Sequence, residues 1–381
     1  MAGDDQTSHR ALSRRSLLRA GTAAGAGLLF GGAATRVAAT GTSNGLRPYE
    51  LAGASDGHRS HDGGLLGVEG EVDHRRNRFN PTDMLDDWDF GQVSRAPDGQ
   101  TLREYRMVAL DQTIEVAPGV FFESWNYNGR VPGPTLRCTE GDRIRIEFVN
   151  AGTHPHTIHF HGIHAASMDG VPGVGAGVIE PGASTVYEFD AAPFGCHLYH
   201  CHSLPLTRHI HKGLYGAFIV DPDPSRFSGA EAQAASRRTF EGARDAGVKE
   251  MVMVMNGFDT NFDGENEIYA INSIAFHYMK HPIRIGTDDD VRLYLINVTE
   301  FDPVNSLHLH ANFFDYYDHG TTLTPTLKTI DTVMQVQAQR GILEFNFNGF
   351  EPGSYMFHAH QSEFAELGWM SFFEVVEGRT V

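Results

Sequence analysis

Tyr199-His200-Cys201-His202 sets one thiol between two imidazoles, and its reading organises the rest of the chain. On a β-strand successive side chains point to opposite faces, so His200 and His202 would share one face while Cys201 points to the other. Thiolate and imidazole are both donors for late transition metals. Working outward, the same His-x-His spacing recurs at His154/His156, His159/His161, His209/His211, His308/His310 and His358/His360. There are 21 histidines in 381 residues, far above ordinary usage. Each pair on a strand would aim two neutral imidazoles at one spot, a pattern suited to Cu, Zn, Fe or Ni.

The sequence around these pairs reads as strands. Glu104 to Leu110, Gly119 to Tyr127, Arg143 to Val149, Ser184 to Phe189, His197 to Cys201 and Gly216 to Val220 are short alternating runs. Turn residues such as Pro132-Gly133-Pro134, Glu140-Gly141-Asp142 and Glu180-Pro181-Gly182 separate them, as in a β-sandwich. Met251 to Val376 repeats the texture, so the expectation is all-β with two sandwich domains, 99–222 and 249–381, joined by a linker over 223–248. Met251-Val252-Met253-Val254-Met255 reads as a strand buried on both faces rather than a stripe of soft metal ligands.

Cys201 needs partners on its own face, and His156 and His209 are at hand. Two histidines and one cysteine with a weak or missing axial ligand are the donor set of a blue copper site. Leu214 stands where an axial methionine would be expected, which predicts a three-coordinate, comparatively oxidising copper. His154, His164, His197 and His211 lack partners at the right spacing, and His9, His58, His61 and His74 are expected to be solvated.

His156-Thr157-Ile158-His159-Phe160-His161-Gly162, Asp169-Gly170-Val171-Pro172-Gly173-Val174, Pro181-Gly182, Tyr199-His200-Cys201-His202, His308-Leu309-His310 and His358-Ala359-His360 together resemble the multicopper oxidases in motif and order. The resemblance covers roughly 100–378 and is to the two-domain, laccase-like branch, which implies a cupredoxin-like Greek-key β-sandwich in each half. It implies four coppers per chain. The type 1 copper would take His156, Cys201 and His209, and the type 2 copper His159 and His308. One type 3 copper would take His161, His200 and His360, and its partner His202, His310 and His358. Asn305 and Ala359 replace the histidine and cysteine a second blue site would need, so the first domain alone should hold one. Asp169 occupies the family's proton-relay position, and Glu363 is a second candidate.

The resemblance further implies oxidation of a phenol-like or low-valent metal donor coupled to reduction of O2 to water, in a homotrimer with clusters at subunit interfaces. A copper nitrite reductase is the rival enzyme, since it also joins two such domains but needs only a three-histidine copper beside the blue one. A copper-binding electron-transfer protein without turnover is the non-enzymatic rival. A net charge of −18 argues against nucleic-acid binding. Ser13-Arg14-Arg15-Ser16 ahead of an Ala/Gly-rich stretch reads as a twin-arginine export signal over 1–39, predicting a periplasmic or extracellular protein. Residues 40–98 read as an extended lead-in. With three cysteines and an oxidising compartment, a Cys138–Cys196 disulfide is possible.

Overall fold

A computed structural model describes residues 69–380; the export-signal reading and the part of the lead-in before residue 69 lie outside the described residues. The alternating runs form strands in four sheets, two per domain, and each pair of sheets closes into a Greek-key sandwich of cupredoxin-like design. One first-domain sheet runs in the order Trp88–Asp89, Thr135–Thr139, Tyr215–Asp221, Gly195–His200, His159–Phe160. The other joins Gln92–Arg95, Thr101–Ala117, Arg143–Asn150 and Ser184–Asp190, with Val120–Tyr127 paired to the long strand. The second domain repeats the scheme. Its six-stranded sheet centres on Val248–Phe258, Asp290–Asn297 and Arg340–Asn346, and its five-stranded sheet on Gly353–His358 and Val304–Leu309.

Strand alternation assigns each face its task. In Gly195–His200, Tyr199 and the following Cys201 turn into the first domain's core with Leu136, Phe148 and Phe218. Cys196 and Leu198 turn the other way, with Ala217 and Ile219, onto Val252, Val254, Tyr294, Ile296 and Ile342 of the second domain. Met251, Met253 and Met255 point back into the second domain's core. That methionine run is therefore buried on both faces, as a strand between two packed layers should be.

The same alternation bears on the disulfide. Cys138 and Cys196 are free and buried. They lie on the strands either side of Tyr215–Asp221, opposite Val220 and Ile219 respectively. Adjacent positions on a strand face opposite ways, so one thiol sits in the first-domain core and the other in the interdomain layer. No S–S bond spans a sheet.

Residues 69–98 depart from the extended lead-in. Val72, Phe79, Met84 and Leu85 are buried, and Trp88–Asp89 adds a parallel strand to Thr135–Thr139. A helical turn, His74–Asn77, is capped by Asp73, whose Oδ1 accepts from the Arg75 and Arg76 amides. Few apolar residues mark this stretch, and most of them are buried, Val93 being the exposed exception. The interdomain segment carries helices Gly229–Arg238 and Phe240–Ala246.

Candidate metal centres

The donors converge at the ends of strands. In the first domain the Cα register sets His159 opposite His200, and in the second His308 opposite His358. Each antiparallel pair brings two His-x-His units side by side on the sheet's outer face, while Phe160, Tyr199, Leu309 and Phe357 fill the inner one.

Within the first quartet, His161 and His200 approach to 2.9 Å between Nε2 atoms. The His159 ring lies 5.0 to 5.3 Å, centroid to centroid, from those of His161, His200 and His202. The second quartet matches: His310 and His358 meet at 2.9 Å between Nε2 atoms, and His308 lies 4.9 Å from His310 and 5.2 Å from His360.

Outer hydrogen bonds fix the rings. His200 Nδ1–H donates to the Cys201 carbonyl (2.8 Å), and His358 Nδ1–H to the Ala359 carbonyl (2.6 Å). His159 Nδ1 reaches the Asp169 carbonyl at 2.8 Å, and His308 Nδ1 reaches Thr332 Oγ1 at 2.8 Å. In all four, the anchored Nδ1 leaves Nε2 as the lone pair for a metal. Among the described residues His202 Nδ1 is buried without a hydrogen-bond partner, an orphan that a metal would satisfy.

The third donor group is His156, Cys201 and His209. His156 Nδ1 and His209 Nδ1 stand 3.2 Å apart, and the Cys201 thiol lies 3.3 Å from His209 Nδ1 and 3.9 Å from His156 Nδ1. Donors about 2.0–2.3 Å from one ion sit about 3.5–4 Å apart, so a single metal fits with slight relaxation. Helix Leu206–His211 delivers His209, and the Thr157 amide donates to the Cys201 sulfur at 3.3 Å. Leu214 is fully buried and offers no lone pair.

Burial controls protonation. Desolvation, helped by His209, drives His156 down to about 3, and desolvation with His200 drives His161 to about 2. His200 and His209 are lowered to about 4, chiefly by burial. All four are neutral at pH 7, the form that ligates. Burial raises the Cys201 thiol in the metal-free chain, so metal binding there must expel a proton.

Residues 111–225 match a family model described as multicopper oxidase, and residues 248–379 match a second with the same description. The chain belongs to the multicopper oxidase family. A solved structure described as a multicopper oxidase is 54% identical to this two-domain member, covering 80% of this chain and 100% of that one at TM-score 0.72. A probable nitrite reductase–hydroxylamine oxidoreductase fusion protein of Kuenenia stuttgartiensis is 29% identical over 72% of this chain and 32% of its own length. A copper-containing nitrite reductase of Neisseria gonorrhoeae is 25% identical over 67% of this chain and 63% of its own. The multicopper oxidase thus spans about a third of the first curated relative and under two thirds of the second. Copper binding follows from the family, and the donor sets above fit it.

The remaining predicted residues fall as follows in this multicopper oxidase. Asp169 Oδ1 lies 3.0 Å from His159 Nδ1 and 3.5 Å from His164 Nε2, so its carboxylate adjoins the first quartet. His164, set aside in the sequence, therefore has a partner. Glu363 is exposed on the short helix Ser362–Glu366, and among the described residues no hydrogen bond joins it to a quartet histidine. His197 bonds the Pro193 carbonyl at 2.8 Å, and His211 Nε2 accepts from the Asp259 amide at 2.9 Å; both are structural. His154 packs on Trp125 at 4.3 Å. Trp125 also lies 4.9 Å from His209 and 5.3 Å from His156, roofing the mononuclear site. Sequence reasoning missed Trp125, because one aromatic on an alternating strand looks like any core residue.

Proposed function

We propose that this protein is a laccase-like oxidase that takes single electrons from a phenol-like or low-valent metal donor at a first-domain type 1 copper and reduces O2 at a trinuclear cluster. The observation that carries the reading is the pair of matched quartets, eight imidazoles in two sets with the same outer-bond pattern. Copper bound to these donors would supply one-electron uptake at His156, Cys201 and His209 and four-electron oxygen reduction at the quartets. The chain's own parts do the rest. Cys201 lies one peptide unit from both His200 and His202, and the 2.8 Å bond from His200 Nδ1 to its carbonyl adds a second short connection. Asp169, held at His159 and His164, can exchange protons beside the first quartet. Trp125 keeps water off the mononuclear site.

The assembly belongs to the same proposal. The first domain packs on the outer face of the second domain's six-stranded sheet, through Val252, Val254 and Tyr294. The second quartet occupies the outer face of the other sheet, beyond a sandwich whose layers lie about 10 Å apart. His310 and His360 are exposed, and Met334 (64% exposed) and Val336 (50%) flank the quartet on the same face. An open half-site beside exposed apolar side chains calls for a second copy of the chain. A head-to-tail contact that closes gives a ring, here a homotrimer with a cluster at each interface. Export by the twin-arginine route completes the proposal; replacing Arg14 and Arg15 by lysine should hold the protein in the cytoplasm.

The nitrite reductase relatives support a second reading, in which one type 2 copper replaces the cluster. Copper content and turnover separate the two. The oxidase predicts four coppers per chain and donor-dependent oxygen uptake without nitrite consumption. Two coppers per chain with nitrite turnover would establish the reductase instead.

A further inference from the structure

His74, His277 and His281 form a third imidazole group that shares no residue with the copper centres. His277 and His281 stand one helical turn apart, the His281 amide donating to the His277 carbonyl at 2.8 Å, so their rings meet on one side at 4.9 Å. His74 arrives from the turn His74–Asn77 ahead of the first domain and sets its ring near perpendicular to that of His277, 5.3 Å away centroid to centroid. One nitrogen from each ring lies within 4.8 Å of the others.

The surroundings resemble a prepared ligand shell. His277 is buried, and its Nε2 is bonded to Thr82 Oγ1 at 2.8 Å. His281 Nε2 is bonded to Glu71 Oε2 at 3.1 Å. His74 Nδ1 is buried and has no hydrogen-bond partner among the described residues, which native structures rarely leave unanswered. Glu71, Asp73 and Asp83 act electrostatically on His74 and Lys280 on His277, while Arg75 and Arg76 follow His74 in the same turn. Lys280 Nζ is itself engaged with the Gly70 carbonyl.

We propose that His74, His277 and His281, steadied by Glu71 and Thr82, bind a divalent late transition metal, zinc or copper(II), and pin the segment ahead of the first domain to the second. Three imidazoles with a carboxylate beside them suit either ion, and a hard cation such as calcium would not choose them. The segment so pinned enters the interdomain layer: its Val72, Phe79 and Met84 pack in one cluster with Val252, Phe258 and Ile274.

The copper-loaded protein should be dialysed against micromolar zinc, and zinc and copper per chain counted by elemental analysis. The wild type should retain one zinc per chain, and its melting temperature should rise with zinc. His281→Ala, which removes an exposed ring, and the His74→Ala/His281→Ala pair should lose that zinc and the thermal shift. Glu71→Gln should weaken zinc binding by about 10–100-fold. In each variant the blue absorption should match the wild type, which shows the fold intact. Copper(II) as the preferred ion would appear as one copper per chain more in the wild type than in the pair variant. The proposal fails if the wild type retains neither ion at this site, or if the variants retain as much as the wild type does.

Discussion

The two domains carry the same strand register and differ at three residues that decide what each can hold, Asn305, Ala359 and Phe364 standing where the first domain has His156, Cys201 and His209. His159 faces His200 as His308 faces His358. The Thr157 hydroxyl accepts from the His202 amide (2.9 Å) as the Ser306 hydroxyl accepts from the His360 amide (2.9 Å). Where the first domain has His156, the second has Asn305, buried and bonded to Thr299 Oγ1 at 3.1 Å. Where the first has Cys201, the second has Ala359, fully buried among Phe357, Phe364 and Trp369. One repeat thus joins a His–Cys–His donor group to its histidine quartet through a single dipeptide, and the other keeps only the quartet. A sandwich core accepts either outcome, because a small apolar side chain fills the space the thiol would take.

Three changes would break or sharpen that comparison. The largest effect should come from Cys201→Ser. It should abolish the intense Cu–thiolate absorption and reduce oxygen uptake to background while the other three coppers stay bound, because their ligands are imidazoles; absorption and elemental analysis read both. The reciprocal Ala359→Cys should produce no blue band, since Asn305 supplies no imidazole.

Next comes Asp169→Asn, which retains a hydrogen-bond acceptor at His159 but removes the exchangeable proton. We expect kcat for oxygen uptake to fall about 100-fold with KM for the donor little changed. The fall should deepen toward high pH, where external protons are scarce. Glu363→Gln should change kcat less than about twofold, given that it is exposed and, among the described residues, makes no hydrogen bond to a quartet histidine. An equal loss in both variants would remove Asp169 from its role.

The smallest effect is on the stability of the copper-free protein. His156, His161, His200 and His209 are held well below the usual histidine range by burial. Above pH 6.5 each is neutral whether folded or unfolded, so its contribution is intact there. As pH falls below 6.5 the unfolded chain takes up protons that the folded chain refuses, and stability drops until the folded values of about 4 to about 2 are reached. Unfolding free energies from urea titrations between pH 7.5 and pH 4.5 should fall with a slope of up to about 1.4 kcal/mol per pH unit for each such ring. Copper-loaded protein should hold its midpoint further into acid, because the metal competes with the proton.

Much of this was legible in the residue order. The alternation around Tyr199-His200-Cys201-His202 placed the thiol inward and the imidazoles outward, and four of the six His-x-His pairs meet at strand ends, whereas His209/His211 lies on a helix and His154/His156 outside any strand. What escaped depended on which face meets which neighbour. Cys138 and Cys196 looked bondable until the sheet between them set the thiols on opposite sides. His74 looked solvated because its partners, His277 and His281, lie some 200 positions away in the chain. Trp125 covers the mononuclear site through the pairing of Val120–Tyr127 with the long strand, which no local pattern announces. Residues 69–98 read as polar because a segment laid over two finished domains needs only a few apolar anchors.

The central claim is that each cluster joins the first quartet of one chain to the second quartet of its neighbour, and subunit complementation tests it most directly. His161→Ala and His310→Ala variants should each be inactive in oxygen uptake. Mixed, dissociated and reassembled together at equal amounts, they should regain about a quarter of wild-type activity, since random assembly pairs an intact first quartet with an intact second quartet at about one interface in four. If the mixture is no more active than either variant alone, while exchange of subunits is demonstrated, the quartets meet within one chain and the account is wrong.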